Sequence, residues 1–443
     1  MTPLIISILV LISIFAIIIL TSRLKIHAFI ALFIVSLFLA FTVLPAGTII
    51  KTIKDGFGNT MGSIGFLIIL GAMIGITLDR TGGTVSIANY ILSKTGEKRS
   101  PLALGITGFI TGLPIFCDSG FIILSGLAKS LSNRSKIAMP FMATVLACSL
   151  YSIHCLIPPH PGALAAAGML EVNIGYLIII GILFAVPGAV TAYFTSRRLS
   201  RSYVHQETTF READIKIQEG DLPPVLLSFL PIVVPLLLIT AKSLSGLLDK
   251  TGSGLFSKLF NFPGEPVIAL FIGVILSLLL LRRKSIDLMN SVFAEAIIKA
   301  GPILIITAAG GMFGMVIRST GVGETLGKML TGTNIGLLVP FLIAAIMKTA
   351  QGSSTVAMIT AASFIVPMLP ILGLDNEWGK LFTMLSMGSG SMIISHANDS
   401  YFWVVNNFSE LEVETTLKVY STSTLLMGLV VFSCVWIVSA FVL

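Results

Sequence analysis

Apolar runs of about twenty residues recur along the whole chain, and no other feature constrains its fold as strongly. Uncomplicated runs cover residues 3–22, 26–44, 62–78, 172–196, 223–241, 263–281, 299–318 and 419–442. A helix crosses the hydrocarbon core of a bilayer with about 20 mostly apolar residues, and it satisfies its backbone polar groups internally. The sequence therefore predicts an all-α, polytopic membrane protein.

Charged side chains are too few to coat a soluble protein. Only 11% of the 443 residues are charged and 55% are hydrophobic, whereas a soluble domain carries about 25% charged residues. The formal net charge of +7 fits Lys and Arg gathered in cytoplasmic loops, so we expect the lipid bilayer, and no nucleic acid, as a partner. The four cysteines lie outside any CxxC motif, and HExxH and P-loop patterns are absent. We therefore expect no metal site, no cofactor and no enzymatic activity.

The basic loops predict the sidedness of the chain, because cytoplasmic loops carry an excess of Lys and Arg. Basic residues cluster at 23–25, 94–99, 129–136, 197–201 and 282–284. These clusters all face the cytoplasm only if residues 101–131 form a re-entrant hairpin and residues 136–171 form one span broken at Pro158–Gly162. Both termini are then expected on the extracytoplasmic side, with residues 3–22 retained as a span.

The second half of the chain repeats this pattern. A second hairpin is predicted at residues 335–372, interrupted after Lys348, and a second broken span at residues 379–409. The segment Gly71-Ala-Met-Ile-Gly75 resembles Gly310-Gly-Met-Phe-Gly314 at an offset of 239 residues.

The two halves are predicted to have opposite orientations in the membrane. The first repeat covers residues 1–196, the second covers residues 223–443, and a polar cytoplasmic connector covers residues 197–222. Each half has five crossings, an odd number, which gives about ten full spans plus two re-entrant hairpins. Inverted repeats with broken helices are typical of secondary transporters, whose sites lie near the midplane where the breaks meet.

The first break, Phe116-Cys-Asp-Ser-Gly120, contains a carboxylate. A charged side chain at membrane depth costs about 2.5–3.5 kcal/mol on insertion scales, so it indicates a function. We therefore place Asp118, Ser119 and Gly120 in a substrate site. The alternative is that Asp118 only N-caps the second arm of the hairpin.

The second break, His154 to Gly162, carries two histidines and three prolines. Pro161 suits the first turn of a new half-helix, which leaves His160 as its cap, directed into the cavity. Histidine titrates near physiological pH, so His160 is a candidate proton carrier. A hydrogen-bonded structural histidine is an equal alternative, and for His154 it is the preferred one.

The third break follows Lys348 and contains Gly352, Ser353, Ser354 and Thr355. Small hydroxylated residues after a glycine can open a half-helix whose free N–H groups bind an anion. The three hydroxyls are expected to bind a carboxylate or the hydroxyl groups of a substrate. Lys348 either balances the charge of that anion or extends to a wet surface.

The fourth break, Ser395-His-Ala-Asn-Asp-Ser400, is the richest in polar groups. Asn398 can recognise hydroxyl groups as donor and acceptor together, and Asp399 can bind or carry a proton. A kink that satisfies only its own polar groups is the weaker alternative. The candidates for proton coupling are thus Asp118, His160 and Asp399.

Four segments resemble the gluconate permease family of proton-coupled symporters: PIFCDSGFIIL, IPPHPGALAAAG, AQGSSTVAMITAA and ISHANDSYFWVVNNF. The resemblance implies uptake of gluconate or a related small hydroxylated monocarboxylate, such as another sugar acid, glycerate or D-serine. It also implies an inner-membrane location and, by analogy, an elevator-type homodimer. It places the same candidate residues in the transport site.

Two other functions remain open from the residues alone. A sodium-coupled dicarboxylate transporter of similar architecture would need more cationic or amide groups for a second carboxylate. An integral-membrane enzyme is the less favoured alternative, because the sequence lacks the motifs that such chemistry uses.

Overall fold

The computed structural model describes residues 3–95, 99–204, 222–248, 254–281, 286–320, 336–396 and 399–443, and within these ranges every regular element is a helix. The helices in chain order are α1 (Pro3–Ile18), α2 (Ala28–Val43), α3 (Ala46–Thr81), α4 (Gly83–Thr95), α5 (Ser100–Thr111), α6 (Cys117–Ser135), α7 (Met139–Leu156), α8 (Pro161–Met169), α9 (Ile174–Leu199), α10 (Val225–Leu248), α11 (Leu255–Asn261), α12 (Pro266–Leu278), α13 (Ile286–Ser319), α14 (Leu338–Gln351), α15 (Ser354–Ile365), α16 (Glu377–Ser391), α17 (Ser400–Phe408) and α18 (Val413–Val442).

Many of these helices are apolar enough to cross a membrane. Within the described ranges six helical stretches have both the length and the hydropathy: Ala46–Thr81, Met139–Met169, Ile174–Ser202, Val225–Ser245, Ile286–Ser319 and Val413–Val442. Each uncomplicated apolar run of the sequence falls on a helix, which confirms the predicted all-α, polytopic fold. Two helices extend well beyond the predicted runs, since α3 has 36 residues and α13 has 34.

Four interruptions separate neighbouring helices near the middle of the fold. They lie at residues 112–116, 157–160 and 352–353 and, among the described residues, at 392–396 and 399. Gly352 has a φ of 86°, which a residue with a side chain rarely adopts, so it ends α14 sharply. Pro161 occupies the first position of α8, where the missing N–H group leaves no helical bond unmade. The re-entrant course of the hairpins and the inverted repeat stay predictions.

The apolar interior forms two clusters. The first is built mainly by α5–α9 and α14–α18, and every residue of α7 is buried in it. The second is built mainly by α1–α4, α12 and α13. Because α8 and α15 contribute side chains to both clusters, the interrupted helices lie where the two clusters meet.

Glycines allow the long helices α3 and α13 to approach the interrupted segments closely. A Cβ atom on Gly75 would lie 2.8 Å from the carbonyl oxygen of Pro114, in the break between α5 and α6. A Cβ atom on Gly314 would lie 3.3 Å from the carbonyl oxygen of Ser363 in α15. These two glycines belong to the segments that match at the offset of 239 residues, so each long helix packs against a hairpin of its own half.

Candidate functional site

A cavity of about 490 Å³ lies where four interrupted helices begin. The first turns of α6, α8, α15 and α17 contribute to its wall, together with α7 and α13. The cavity brings together six of the residues that the sequence places in a substrate site: Asp118, Ser119, Ser353, Ser354, Thr355 and Asp399. Residues up to 281 positions apart in the chain thus face one space.

Asp118 lies in the first turn of α6, with one carboxylate oxygen buried. The helix begins at Cys117 and its N-cap is Phe116, so the alternative that Asp118 is the N-cap is wrong. Its Oδ1 atom has no hydrogen-bond partner among the described residues. A buried carboxylate oxygen without a donor costs free energy, which a proton or a bound donor would recover.

Lys348 and Asp399 form a buried ion pair. Lys348 is fully buried, the Asp399 side chain is 5% exposed, and Nζ lies 2.5 Å from Oδ2. The ammonium group also donates to the carbonyl oxygen of Gly352. Asp399 accepts two further hydrogen bonds, from the Ser395 hydroxyl at 2.5 Å and from the Tyr401 N–H at 3.0 Å. Lys348 therefore does not reach a wet surface, and its charge is balanced inside the protein.

The hydroxyl cluster opens α15 beside the cavity. Ser353 is the N-cap of this helix, and its hydroxyl accepts a hydrogen bond from the Val356 N–H at 3.3 Å. The hydroxyl of Thr355 lies 3.5 Å from Nε2 of His154 on α7. Ser354 and Thr355 follow the cap and line the cavity, and the Ser354 side chain also hydrogen-bonds with Tyr151 and Cys155 on α7.

His160 is the N-cap of α8, as predicted, but its ring does not line the cavity. The ring is 2% exposed, and Nε2 lies 2.6 Å from the carbonyl oxygen of Gly112. The bond fixes the ring against the tip of the first hairpin, which is why the ring turns away from the predicted direction. His154 lines the cavity instead, with its ring centre 4.8 Å from that of His160.

Two further residues of the predicted site lie elsewhere in the described part of the chain. Gly120 packs against α7, where an added Cβ atom would lie 2.9 Å from a methyl carbon of Leu150. Gly352 lies beside the cavity and accepts the hydrogen bond from Lys348. Asn398 falls outside the described residues.

The wall that α13 contributes was not predicted from the sequence. Lys299, Pro302, Ile303 and Ile306 line the cavity, although this segment was assigned only as an uncomplicated span. A lysine and a proline inside one long helix were the available signals. Lys299 lies 3.3 Å from Glu295 on the same helix, and its side chain is 41% exposed.

Four helix N-termini meet at the cavity, beside the carboxylates of Asp118 and Asp399 and the ammonium group of Lys299. Each N-terminus carries a partial positive charge of roughly half an elementary charge and unpaired N–H groups, which favour an anion nearby. The arrangement of four such termini with serine and threonine hydroxyls suits a small anionic, hydroxylated ligand.

A cavity that lies between interrupted helices of an all-helical membrane protein, with charged and hydroxyl side chains in its wall, is typical of transport proteins. The chain belongs to the GntP permease family, since the model of the GntP family permease matches residues 4–442.

Curated relatives carry permease or transporter names. The inner membrane permease YgbN of Escherichia coli (strain K12) is 34% identical over 432 residues, which cover 94% of each chain. A gluconate permease of Pseudomonas aeruginosa is 29% identical over 433 residues, 95% of this chain and 94% of the relative. The Gnt-II system L-idonate transporter of Escherichia coli (strain K12) is 29% identical over 411 residues, 91% of this chain and 92% of the relative. The chain is thus a multi-pass membrane permease and not an enzyme.

A solved structure supports the fold. The crystal structure of the Alcanivorax borkumensis YdaH transporter, described as having an unusual topology, matches with a TM-score of 0.60. The match covers 90% of both chains at 17% sequence identity, so it shows a shared fold alone.

Proposed function

We propose that the chain is a secondary transporter that takes up gluconate or a related small hydroxylated monocarboxylate together with a proton. The observation that carries this proposal is the cavity of about 490 Å³ at four helix N-termini, lined by hydroxyl groups and by Asp118. The names of the gluconate and L-idonate transporters among the relatives support a sugar acid as the substrate class.

In this proposal the substrate carboxylate binds at the start of α15. Ser354 and Thr355 offer hydroxyl donors there, and the N-terminus of the helix favours a negative charge. The hydroxyl groups of the substrate then face Ser119 and, from the sequence pattern, Asn398. Gluconate has one carboxylate and several hydroxyls, which fits a wall richer in hydroxyl groups than in cations.

Asp118 is the preferred carrier of the coupled proton. Asp399 is compensated by Lys348 and by two other donors, and His160 is bonded to a carbonyl oxygen behind the wall. Asp118 lines the cavity with an oxygen that has no partner among the described residues. A carboxyl group in that position can bind a proton and release it without dismantling an ion pair.

Uptake into proteoliposomes tests the coupling. Asp118→Asn is expected to abolish accumulation of gluconate driven by a pH gradient while sparing counterflow exchange, because the amide binds substrate but no proton. Asp287→Asn, an exposed position at the start of α13, is the matched control and should accumulate substrate like the wild type. Uphill uptake that persists in Asp118→Asn would contradict the assignment of the proton.

The anion site is tested by Ser354→Ala. A hydrogen bond to a charged group contributes about 1.5–3 kcal/mol, so loss of this hydroxyl should raise the apparent KM roughly 10-fold or more. Ser319→Ala is the control, because that exposed hydroxyl lies outside the cavity wall and donates to the carbonyl oxygen of Met315 in its own helix. An unaltered KM in Ser354→Ala would remove this residue from the binding site.

The sodium-coupled dicarboxylate transporter is disfavoured by the charges in the wall. The ammonium group of Lys348 is already paired with Asp399. Among the described residues of the wall, Lys299 is then the cation that could bind a second carboxylate. The same proteoliposomes, given a dicarboxylate and a sodium gradient in place of a proton gradient, test this alternative directly.

The remaining expectations form part of the same proposal. We place the permease in the inner membrane as a homodimer with both termini on the extracytoplasmic side. The meeting of two apolar clusters at the cavity supports an elevator-type movement of one cluster relative to the other. Labelling of a terminal tag from each side of the membrane tests the orientation.

A further inference from the structure

A second cavity, of about 530 Å³, lies at the end of α9 and shares no lining residue with the first. Its wall is formed by the start of α5, the connection between α6 and α7, and the 3-10 turn Ser200–Ser202 that follows α9. These segments belong to the basic loops that the sequence predicts on the cytoplasmic side, at the level where lipid headgroups lie.

The wall of this second cavity is strongly basic. Arg99, Arg197 and Arg201 line it, and the described lining includes no carboxylate. No ion pair to these three arginines is found among the described residues. Lys418 adds a fourth cation nearby, with Nζ 5.7 Å from the ring centre of Tyr203, which also lines the cavity. Each guanidinium group can donate two parallel hydrogen bonds to the oxygens of one phosphate group. The chemistry of this wall therefore suits a phosphate ligand.

Ser200 provides an independent sign of a ligand. Its side chain lines the cavity and is 5% exposed, yet its hydroxyl has no hydrogen-bond partner among the described residues. Leaving a buried hydroxyl unpaired is unfavourable, and an acceptor oxygen of a ligand between the arginines would satisfy it.

The surface beside the cavity carries exposed apolar side chains, as is typical of helix faces that contact lipid. Leu102, in the wall, is 42% exposed. Phe194 and Val190 continue this surface along α9 and are 60% and 48% exposed. A ligand with a phosphate in the cavity and hydrocarbon along α9 matches both features, whereas a free phosphate compound would use only the first.

We infer that this cavity binds the phosphate headgroup of an anionic glycerophospholipid from the cytoplasmic leaflet, with its acyl chains along α9. Basic pockets between membrane helices on the cytoplasmic side are a recurring form of such recognition. The lipid would connect the start of the first hairpin, at Arg99, to the end of α9.

Native mass spectrometry of the purified full-length permease tests this inference. Phosphatidylglycerol and phosphatidylcholine with identical acyl chains are titrated separately, and we expect retention of phosphatidylglycerol at concentrations at least 10-fold lower. The double variant Arg197→Gln/Arg201→Gln should lose that preference, and Ser200→Ala should weaken it several-fold. Arg198→Gln is the matched control, since this exposed arginine is adjacent in sequence but does not line the cavity.

Three results would overturn the inference. They are equal retention of the two lipids, an equal loss of preference in Arg198→Gln and in the double variant, and release of phosphatidylglycerol by submillimolar inorganic phosphate. The last result would reassign the cavity to a free anion. The measurement reports lipid binding, so it does not depend on the transported substrate. Protection of the buried thiols of Cys148 and Cys155 from a thiol reagent shows that each variant is folded.

Discussion

Replacing Lys348 with methionine removes one partner of the buried ion pair and leaves a carboxylate inside the protein. Asp399 keeps its other two donors, the Ser395 hydroxyl and the Tyr401 N–H. The carbonyl oxygen of Gly352 loses its ammonium donor at the same time. The effect of the variant therefore measures the interactions of one buried charge.

The expected loss of stability follows from these contacts. Removing one partner of a buried ion pair costs about 3–5 kcal/mol. Because two donors remain on the carboxylate, we expect the lower half of this range. The unpaired carbonyl oxygen of Gly352 adds about 1 kcal/mol. The total is about 4–5 kcal/mol, or roughly three powers of ten in the ratio of folded to unfolded protein.

The assay uses the buried cysteines as reporters of unfolding. Cys148 and Cys155 have no solvent exposure, so a thiol-reactive fluorophore labels them only when the fold opens. Unfolding is followed while SDS replaces a mild detergent in mixed micelles. Lys242→Met is the control, because its ion pair with Glu265 has side chains that are 31% and 51% exposed, and such pairs contribute at most about 1 kcal/mol.

A double variant separates the ion pair from simple loss of packing. Lys348→Met combined with Asp399→Asn removes both charges and retains an acceptor for the Tyr401 N–H. It should regain about 2–3 kcal/mol relative to Lys348→Met alone, within the usual range for residues in contact. If Lys348→Met unfolds like the wild type, or if the double variant is the sum of the single ones, the reasoning from a buried ion pair is refuted.

Four smaller changes have equally definite outcomes. Gly162→Ala should lower stability by about 1–3 kcal/mol and reduce uptake, because the new Cβ atom would lie 2.9 Å from a Cα atom of α15. Gly58→Ala, with no atom within 4 Å of its new Cβ, should be neutral or stabilising by up to about 1 kcal/mol. His160→Ala leaves the carbonyl oxygen of Gly112 unpaired and should cost about 1–3 kcal/mol in the thiol assay. Ser353→Ala removes the N-cap of α15 and should cost about 0.5–2 kcal/mol, and equal stability of that variant would show that the cap is dispensable.

The helix breaks were predictable because their causes are local. A run such as Pro158–Pro161 cannot continue a helix, and Gly352 supplies the positive φ that ends one. Polar side chains beside such breaks at membrane depth are tolerated mainly where they line an internal cavity. The sequence therefore indicated Asp118 and the hydroxyls after Gly352 without any knowledge of the fold.

The tertiary pairings could not be predicted from the same patterns. Lys348 and Asp399 are 51 residues apart, and the sequence assigned each a separate role. The direction of the His160 ring depends on the distant carbonyl oxygen of Gly112, since the same residue type fits both a cavity and a structural bond. The contribution of Lys299 depends on how α13 packs against the interrupted helices, which a lysine and a proline inside one helix hint at but do not specify.

The two hairpins are held by linkages of unequal strength. The tip of the first is joined to α8 by a hydrogen bond between His160 and Gly112, whereas the second is joined to α17 by the charges of Lys348 and Asp399. A single hydrogen bond contributes about 0.5–1.5 kcal/mol net. Thermal fluctuations therefore break such a bond far more often than they separate two buried charges. Loss of the hydrogen bond leaves two neutral groups, whereas separation of the ion pair leaves two buried charges, so the tip between α5 and α6 costs less to detach from its neighbour than the break after α14.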